Sequence, residues 1–113
     1  MNSKRRNNFH DSIVDDLEFR LHTGNVDYHV FIKERDYDTR GMHGEVDYAV
    51  LRRGKNNTVY ALVFEVKSTD NLKNRVKAKK QLLKDVYYVN DTFYDVNRIF
   101  KFYVTKDSIE WIR

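Results

Sequence analysis

The segment Val59-Tyr60-Ala61-Leu62-Val63-Phe64-Glu65-Val66-Lys67 constrains this chain more than any other. Its apolar run reads as a buried β-strand, and side chains alternate across a strand with period two. Val59, Ala61, Val63, Glu65 and Lys67 therefore share one face, apolar for three positions and then charged. Upstream, Glu45-Val46-Asp47-Tyr48-Ala49-Val50-Leu51 reads as a second strand, with Asp47 on the face of Ala49 and Leu51. Charge in such a setting is costly unless it is paired or holds a metal.

The turn between these strands falls at Gly54-Lys55-Asn56-Asn57. A hairpin centred near Asn56 sets Asp47 directly across from Glu65, and like charges opposed across a ladder repel. Something positive is expected between them. Both strands are apolar on both faces, as in a sheet covered on two sides. A three-layer α/β sandwich of helix, mixed sheet and helix satisfies that pattern.

The flanking segments complete the expected order of helix, three strands, helix, strand and a short last edge strand. Ile13, Val14, Leu17 and Leu21 recur at helical spacing between Asp11 and His22, before a stop at Thr23-Gly24. Val26 to Ile32 alternates as a strand, and the charged stretch 34–44 reads as a loop ending in Gly41-Met42-His43-Gly44. Asp70 or Asn71 caps a helix to about Val89, whose apolar arc is Leu72, Val76, Leu82, Leu83, Val86, Tyr87 and Val89. Arg98–Thr105 reads as a strand, and Ile109–Ile112 as the edge strand. A chain of 113 residues, 41% hydrophobic and 14% aromatic, is expected to fold as one domain, residues 1–8 forming a frayed basic end.

No apolar run reaches the roughly 20 residues of a membrane span, and no signal-peptide core follows Met1. The absence of cysteine excludes disulfides and thiolate zinc sites, and fits an intracellular protein. His10, His22, His29 and His43 show no metal-ligand spacing. The excess of 21 basic over 17 acidic residues is mild, but its distribution is uneven. Lys73, Arg75, Lys77, Lys79, Lys80 and Lys84 lie close together, and Arg52, Arg53 and Lys55 crowd one turn. Such clusters bind phosphates without reading sequence, or serve as a solvated helix face.

Helix, strand with aspartate, strand ending in Glu-x-Lys, then helix: the arrangement resembles the αβββαβ core of PD-(D/E)XK nucleases. Gly44-Glu45-Val46-Asp47-Tyr48-Ala49-Val50 and Val63-Phe64-Glu65-Val66-Lys67-Ser68 carry the likeness. They are especially similar to the Holliday-junction-resolvase-like and nuclease-related branches, without a proline before the aspartate. The resemblance spans residues 11 to 105 and implies a restriction-endonuclease-like fold. It also implies a Mg²⁺- or Mn²⁺-dependent hydrolase of DNA phosphodiesters, with RNA an alternative substrate. Asp47, Glu65 and the Val66 carbonyl would hold the ion, since hard cations favour oxygen ligands. Lys67 would orient water or neutralise developing charge. A further acid from the first helix is expected, Glu18 first, with Asp11 and Asp15 as alternatives.

Phosphate contacts are expected from Lys73, Lys77, Lys79 and Lys80. Relatives often carry a glutamine or lysine on the second helix, but Gln81 falls opposite the apolar arc and Lys79 within it. His43 reads as a solvated loop residue. Lacking a recognition module, the chain is expected to cleave nonspecifically or by structure, and resolvase action would need a homodimer. Tyr87, Tyr88, Phe93, Tyr94 and Trp111 fit a dimer surface or core packing equally. The alternatives are an inactive nucleic-acid-binding relative, or a small structural domain with a buried ion cluster.

Overall fold

The computed structural model describes residues 8–22, 29–39 and 41–113. Helix α1 (Asn8–His22) precedes strands β1 (His29–Thr39), β2 (Met42–Arg53) and β3 (Val59–Val66). Helix α2 (Leu72–Thr92), β4 (Val96–Thr105) and β5 (Ser108–Ile112) follow. The strands form one mixed sheet in the order β1-β2-β3-β4-β5. Among the described residues only β3 and β4 pair in parallel, and α2 is the crossover between them.

A helix packs on each side of the sheet. On one side Ala78, Leu82, Tyr88 and Val89 of α2 pack with Ile32, Ala49, Leu51, Ala61, Val63 and Tyr103. On the other, Val14 and Leu17 of α1 pack with Tyr48, Val50, Phe64, Val66 and Val104. This is the α/β arrangement of helix, mixed sheet and helix that the two-sided apolar strands demand. The hairpin register is also as anticipated, with Tyr48 opposite Phe64 and Leu51 opposite Ala61. Asn56 and Asn57 turn the chain at φ 61° and 60°, a region asparagine tolerates better than most residues.

Three expectations need correction. Residues 34–44 are not a loop, because β1 and β2 continue through them to the pair Thr39–Met42. The stretch is polar because it lies at the edge of the sheet, where backbone pairing needs no apolar side chains. Gly41, at φ 77°, allows the tight turn. Second, α1 begins at Asn8 rather than Asp11, and α2 runs on to Thr92. Asn71, not Asp70, is the cap, its Oδ1 accepting from Asn74 N at 2.8 Å. Of the expected frayed end (1–8), Asn8 instead opens α1 and residues 1–7 lie outside the described residues, as does the start of the first strand (26–28).

The third correction concerns which face of α2 is buried. Ala78, Leu82, Asp85 and Val89 are all sealed from solvent at helical spacing. Leu72, Val76, Leu83 and Tyr87 from the expected apolar arc are exposed. Weighting by large apolar residues misplaced the stripe, since the sheet here accepts a small alanine and an acid. Of the five aromatic candidates for a dimer surface, Tyr88 and Phe93 pack on the α2-side core, whereas Tyr87, Tyr94 and Trp111 are exposed. Among the described residues no helix is long and apolar enough to cross a membrane.

Candidate active site

The β2–β3 ladder stops at Tyr48–Phe64, one step before Asp47 and Glu65. Asp47 Oδ2 accepts from the backbone N–H of Val66 at 2.8 Å, so a carboxylate closes the strand end. Both acids are buried, at 3% and 6% exposure. Lys67 follows them, its Nζ 3.8 Å from Glu65 Oε2. Its own N–H donates to Val104 O at 2.9 Å, which fixes the backbone at the base of the side chain.

Glu65 shares with Asp85 and Asp11 a buried carboxyl oxygen that lacks a hydrogen-bond partner, in its case Oε1. Burial, followed by the negative charges of Asp47 and Asp85, pushes its carboxyl well above the usual range, and Lys67 opposes the shift. A buried carboxyl with an unsatisfied oxygen, next to Asp47, offers oxygen donors of the kind that hard divalent cations take.

Two residues join this cluster that sequence reasoning passed over. His10, in the first turns of α1, brings Nε2 to 3.5 Å from Asp47 Oδ2 and Nδ1 to 3.6 Å from Asp11 Oδ1. Ligand atoms of His10, Asp11 and Glu34 lie within 4.8 Å of one another, so the histidines are not all remote from metal-ligand geometry. The signal was present: His10 precedes Val14 and Leu17 at the spacing of one helix face. Asp85 of α2 is fully buried. Burial raises its carboxyl to about 7, aided by Asp47, while hydrogen bonds from Tyr37 and Gln81 and the charge of Lys84 hold it down. An acid within the stripe Ala78–Leu82–Val89 is the same anomaly that exposed Asp47 and Glu65.

Gln81 is the clearest reversal. It faces the sheet, and its Nε2 lies 2.7 Å from Asp85 Oδ1, 3.1 Å from Tyr37 Oη and 3.2 Å from Glu45 O. Tyr37 Oη in turn donates to Asp85 Oδ1 at 2.7 Å and its ring stacks on Tyr88 at 4.5 Å. Gly44 explains why a glycine precedes the aspartate motif. A Cβ there would strike Tyr37 Oη and lie 2.6 Å from Tyr37 Cζ and 2.7 Å from Gln81 Nε2. Tyr37, Gly44, Glu45 and Gln81, with Asp36 and the exposed His43, line an open cleft of about 530 Å³.

Glu18 is not brought to the pair. Its Oε1 accepts from Lys33 Nζ at 3.0 Å, as does Asp15 Oδ1, and both raise the Lys33 ammonium strongly. Glu18 sits eight residues along α1 from His10, about 12 Å of helical rise. Of the three helix-borne acids named from sequence, Asp11 lies nearest, through His10. The basic residues divide likewise. Lys73, Lys77, Lys80 and Lys84 are exposed and recur at helical spacing along the flank of α2 next to Gln81. Lys79 lies on the other flank, against Leu83, Glu110 and Trp111.

Compared with family models, curated proteins and solved structures, the chain matches none.

Proposed function

We propose that this chain is a Mg²⁺- or Mn²⁺-dependent nuclease of PD-(D/E)XK type, with a restriction-endonuclease-like core, acting on DNA phosphodiesters. The observation that carries the reading is Glu65: a buried carboxyl with an orphan oxygen, beside Asp47 and within 3.8 Å of a lysine. A merely structural cluster would satisfy its own oxygens.

Asp47, Glu65 and the Val66 carbonyl would hold the cation. When bound, the ion supplies Lewis-acid polarisation of a phosphoryl oxygen and a more acidic water. Asp47 is oriented for its task by the Val66 N–H, and Glu65 by its seat at the strand end. Lys67, partly exposed, can reach a water or the scissile phosphate and offset the negative charge that grows on it. Gln81 has its nitrogen committed to the fold, so its carbonyl oxygen is the end left to meet a water in the cleft. Lys73, Lys77 and Lys80 hold phosphates along the same flank, which positions a strand without reading its bases.

The test is cleavage of single-stranded, duplex, flap and four-way-junction DNA, and of an RNA oligonucleotide, each with Mg²⁺, Mn²⁺ or EDTA. Metal-dependent cleavage that vanishes in Glu65→Gln is the expected result. No cleavage of any substrate, with no rise in melting temperature at millimolar metal, overturns the reading. Chain mass in solution, with and without junction DNA, tests the homodimer that resolvase action requires.

A further inference from the structure

Helix α1 covers only part of its side of the sheet. It packs on Tyr48, Val50, Phe64, Val66 and Val104, toward the end of β3 that carries Glu65. Beyond it, strand register sets Arg52, Tyr60 and Arg98 in one row across β2, β3 and β4, with Phe100 one step along. The Tyr60 and Phe100 rings meet edge to face, their centroids 6.4 Å apart, and Phe100 meets Trp111 at 6.1 Å. The Arg113 guanidinium lies 4.4 Å from the Trp111 ring centroid. Trp111 is 49% exposed, Tyr60 and Phe100 are half-buried, and Arg98 and Arg113 are exposed.

We propose that Tyr60, Phe100 and Trp111, framed by Arg52, Arg98 and Arg113, form a stacking platform for single-stranded nucleic acid. Three features favour that occupant. Partly exposed aromatic rings beside cations are the surface on which unpaired bases stack, and bases held in a duplex do not reach them. Here Trp111 is the most exposed ring, and Arg113, lying over it, must shift or stack in turn. All three cations are arginine, whose planar guanidinium both stacks and grips phosphate, where lysine only supplies charge. The strand positions of this patch, Arg52, Tyr60, Leu62, Arg98, Phe100, Phe102 and Trp111, include no acid. A second copy is disfavoured as the occupant, because a symmetric dimer through this patch would set arginines against arginines.

The platform is separate from the catalytic reading. Tyr60 and Glu65 lie five residues apart on β3, roughly 17 Å along the strand, and point to opposite faces. The two proposals share a class of polymer but no residue.

Trp111 is the sole tryptophan, so its fluorescence reports on this edge of the sheet, and the Phe100 and arginine variants assign the signal to the patch. The full chain, in EDTA, is titrated with a twelve-nucleotide oligo-dT, the matching oligo-U, and a duplex of equal length. Saturable quenching by either single strand, at least about tenfold tighter than by the duplex, is expected. Phe100→Leu should weaken binding by about tenfold. The surface pair Arg98→Lys and Arg113→Lys, which keeps charge and risks no core packing, should weaken it several-fold. Glu65→Gln and Asp47→Asn should quench like wild type, so failed cleavage with intact quenching sinks only the nuclease reading. Absent quenching, equal affinity for duplex, wild-type affinity in the double lysine variant, or a stable dimer that shields Trp111 from a soluble quencher each overturns the platform.

Discussion

Two acidic clusters of this molecule contain the same kinds of side chain and obey opposite rules. At the N-terminus of α2, Arg75 donates to Asp70 at 2.9 and 3.2 Å and to Glu110 at 3.1 Å, over the Tyr103 ring at 5.1 Å. Hydrogen bonds from Arg75 hold both carboxyls below their usual range. At the end of β3, burial and mutual repulsion raise Glu65 and Asp85, and buried oxygens of both lack partners. One cluster is complete without help. The other is an arrangement of negative charge that a divalent cation would complete, and that contrast separates a structural ion network from a candidate site.

Removing the anomaly gives the largest effect. Glu65→Gln replaces a carboxyl whose ionisation is opposed by burial and by Asp47 and Asp85, so the metal-free protein should be as stable as wild type or more so. Cleavage should fall by about 10²-fold or more, and the rise in melting temperature caused by Mg²⁺ or Mn²⁺ should disappear. Thermal melts in EDTA and in metal, alongside a cleavage assay, check all three. A loss of metal-free stability would assign Glu65 to the structural kind instead.

Asp85 sharpens the comparison through pH. Its carboxyl titrates near 7 in the folded state and near 4 when unfolded. Between these values the native state keeps a proton that the unfolded state has lost. Stability from this group is therefore full below about pH 4 and declines as pH rises to about 7. At about 1.4 kcal/mol per pH unit over about three units, the span is on the order of 4 kcal/mol. Asp85→Asn should flatten that slope in denaturant melts run in EDTA across pH 4–8. An unchanged slope would show that Asp85 is ionised at ordinary carboxylate pH.

Gly44→Ala attacks the wall of the same cleft. The added methyl must displace Tyr37 or Gln81, and overpacking of this kind costs about 1–3 kcal/mol. Cleavage should fall beyond what the lost stability explains, because Gln81 loses its place beside Tyr37 and Glu45. Activity measured well below the melting transition separates the two.

How much of this was legible from sequence depended on the strength of local signals. The β2–β3 hairpin carries two uninterrupted apolar runs and a Gly-Lys-Asn-Asn turn, so register, and with it the approach of Asp47 to Glu65, could be read directly. The β1–β2 extension could not, because a polar edge hairpin has neither apolar periodicity nor a long turn signature. The buried face of α2 was misread for another reason. Its stripe is Ala78, Leu82, Asp85 and Val89, in which tertiary contact with Tyr37 outweighs the hydrophobicity of Leu72, Leu83 and Tyr87. Gln81 followed that error onto the wrong flank. His10 and Glu34 meet only in three dimensions, across α1 and a residue of β1 at φ 49°, which no spacing rule anticipates.

The smallest effect is expected where the acids already have their cation. Arg75→Gln breaks contacts to Asp70 and Glu110, yet all three groups reach solvent, which screens the charges left behind. The melting temperature should move less than in Gly44→Ala, the shift should shrink further in 0.5 M salt, and metal-dependent cleavage should persist. Salt is the informative variable, because an exposed network weakens with ionic strength while the buried group at the end of β3 does not. A large, salt-insensitive loss in Arg75→Gln would mean that the Arg75 stem and the Tyr103 ring beneath it hold α2 by packing, and the line between the two clusters would then have to be drawn by contact area instead of charge.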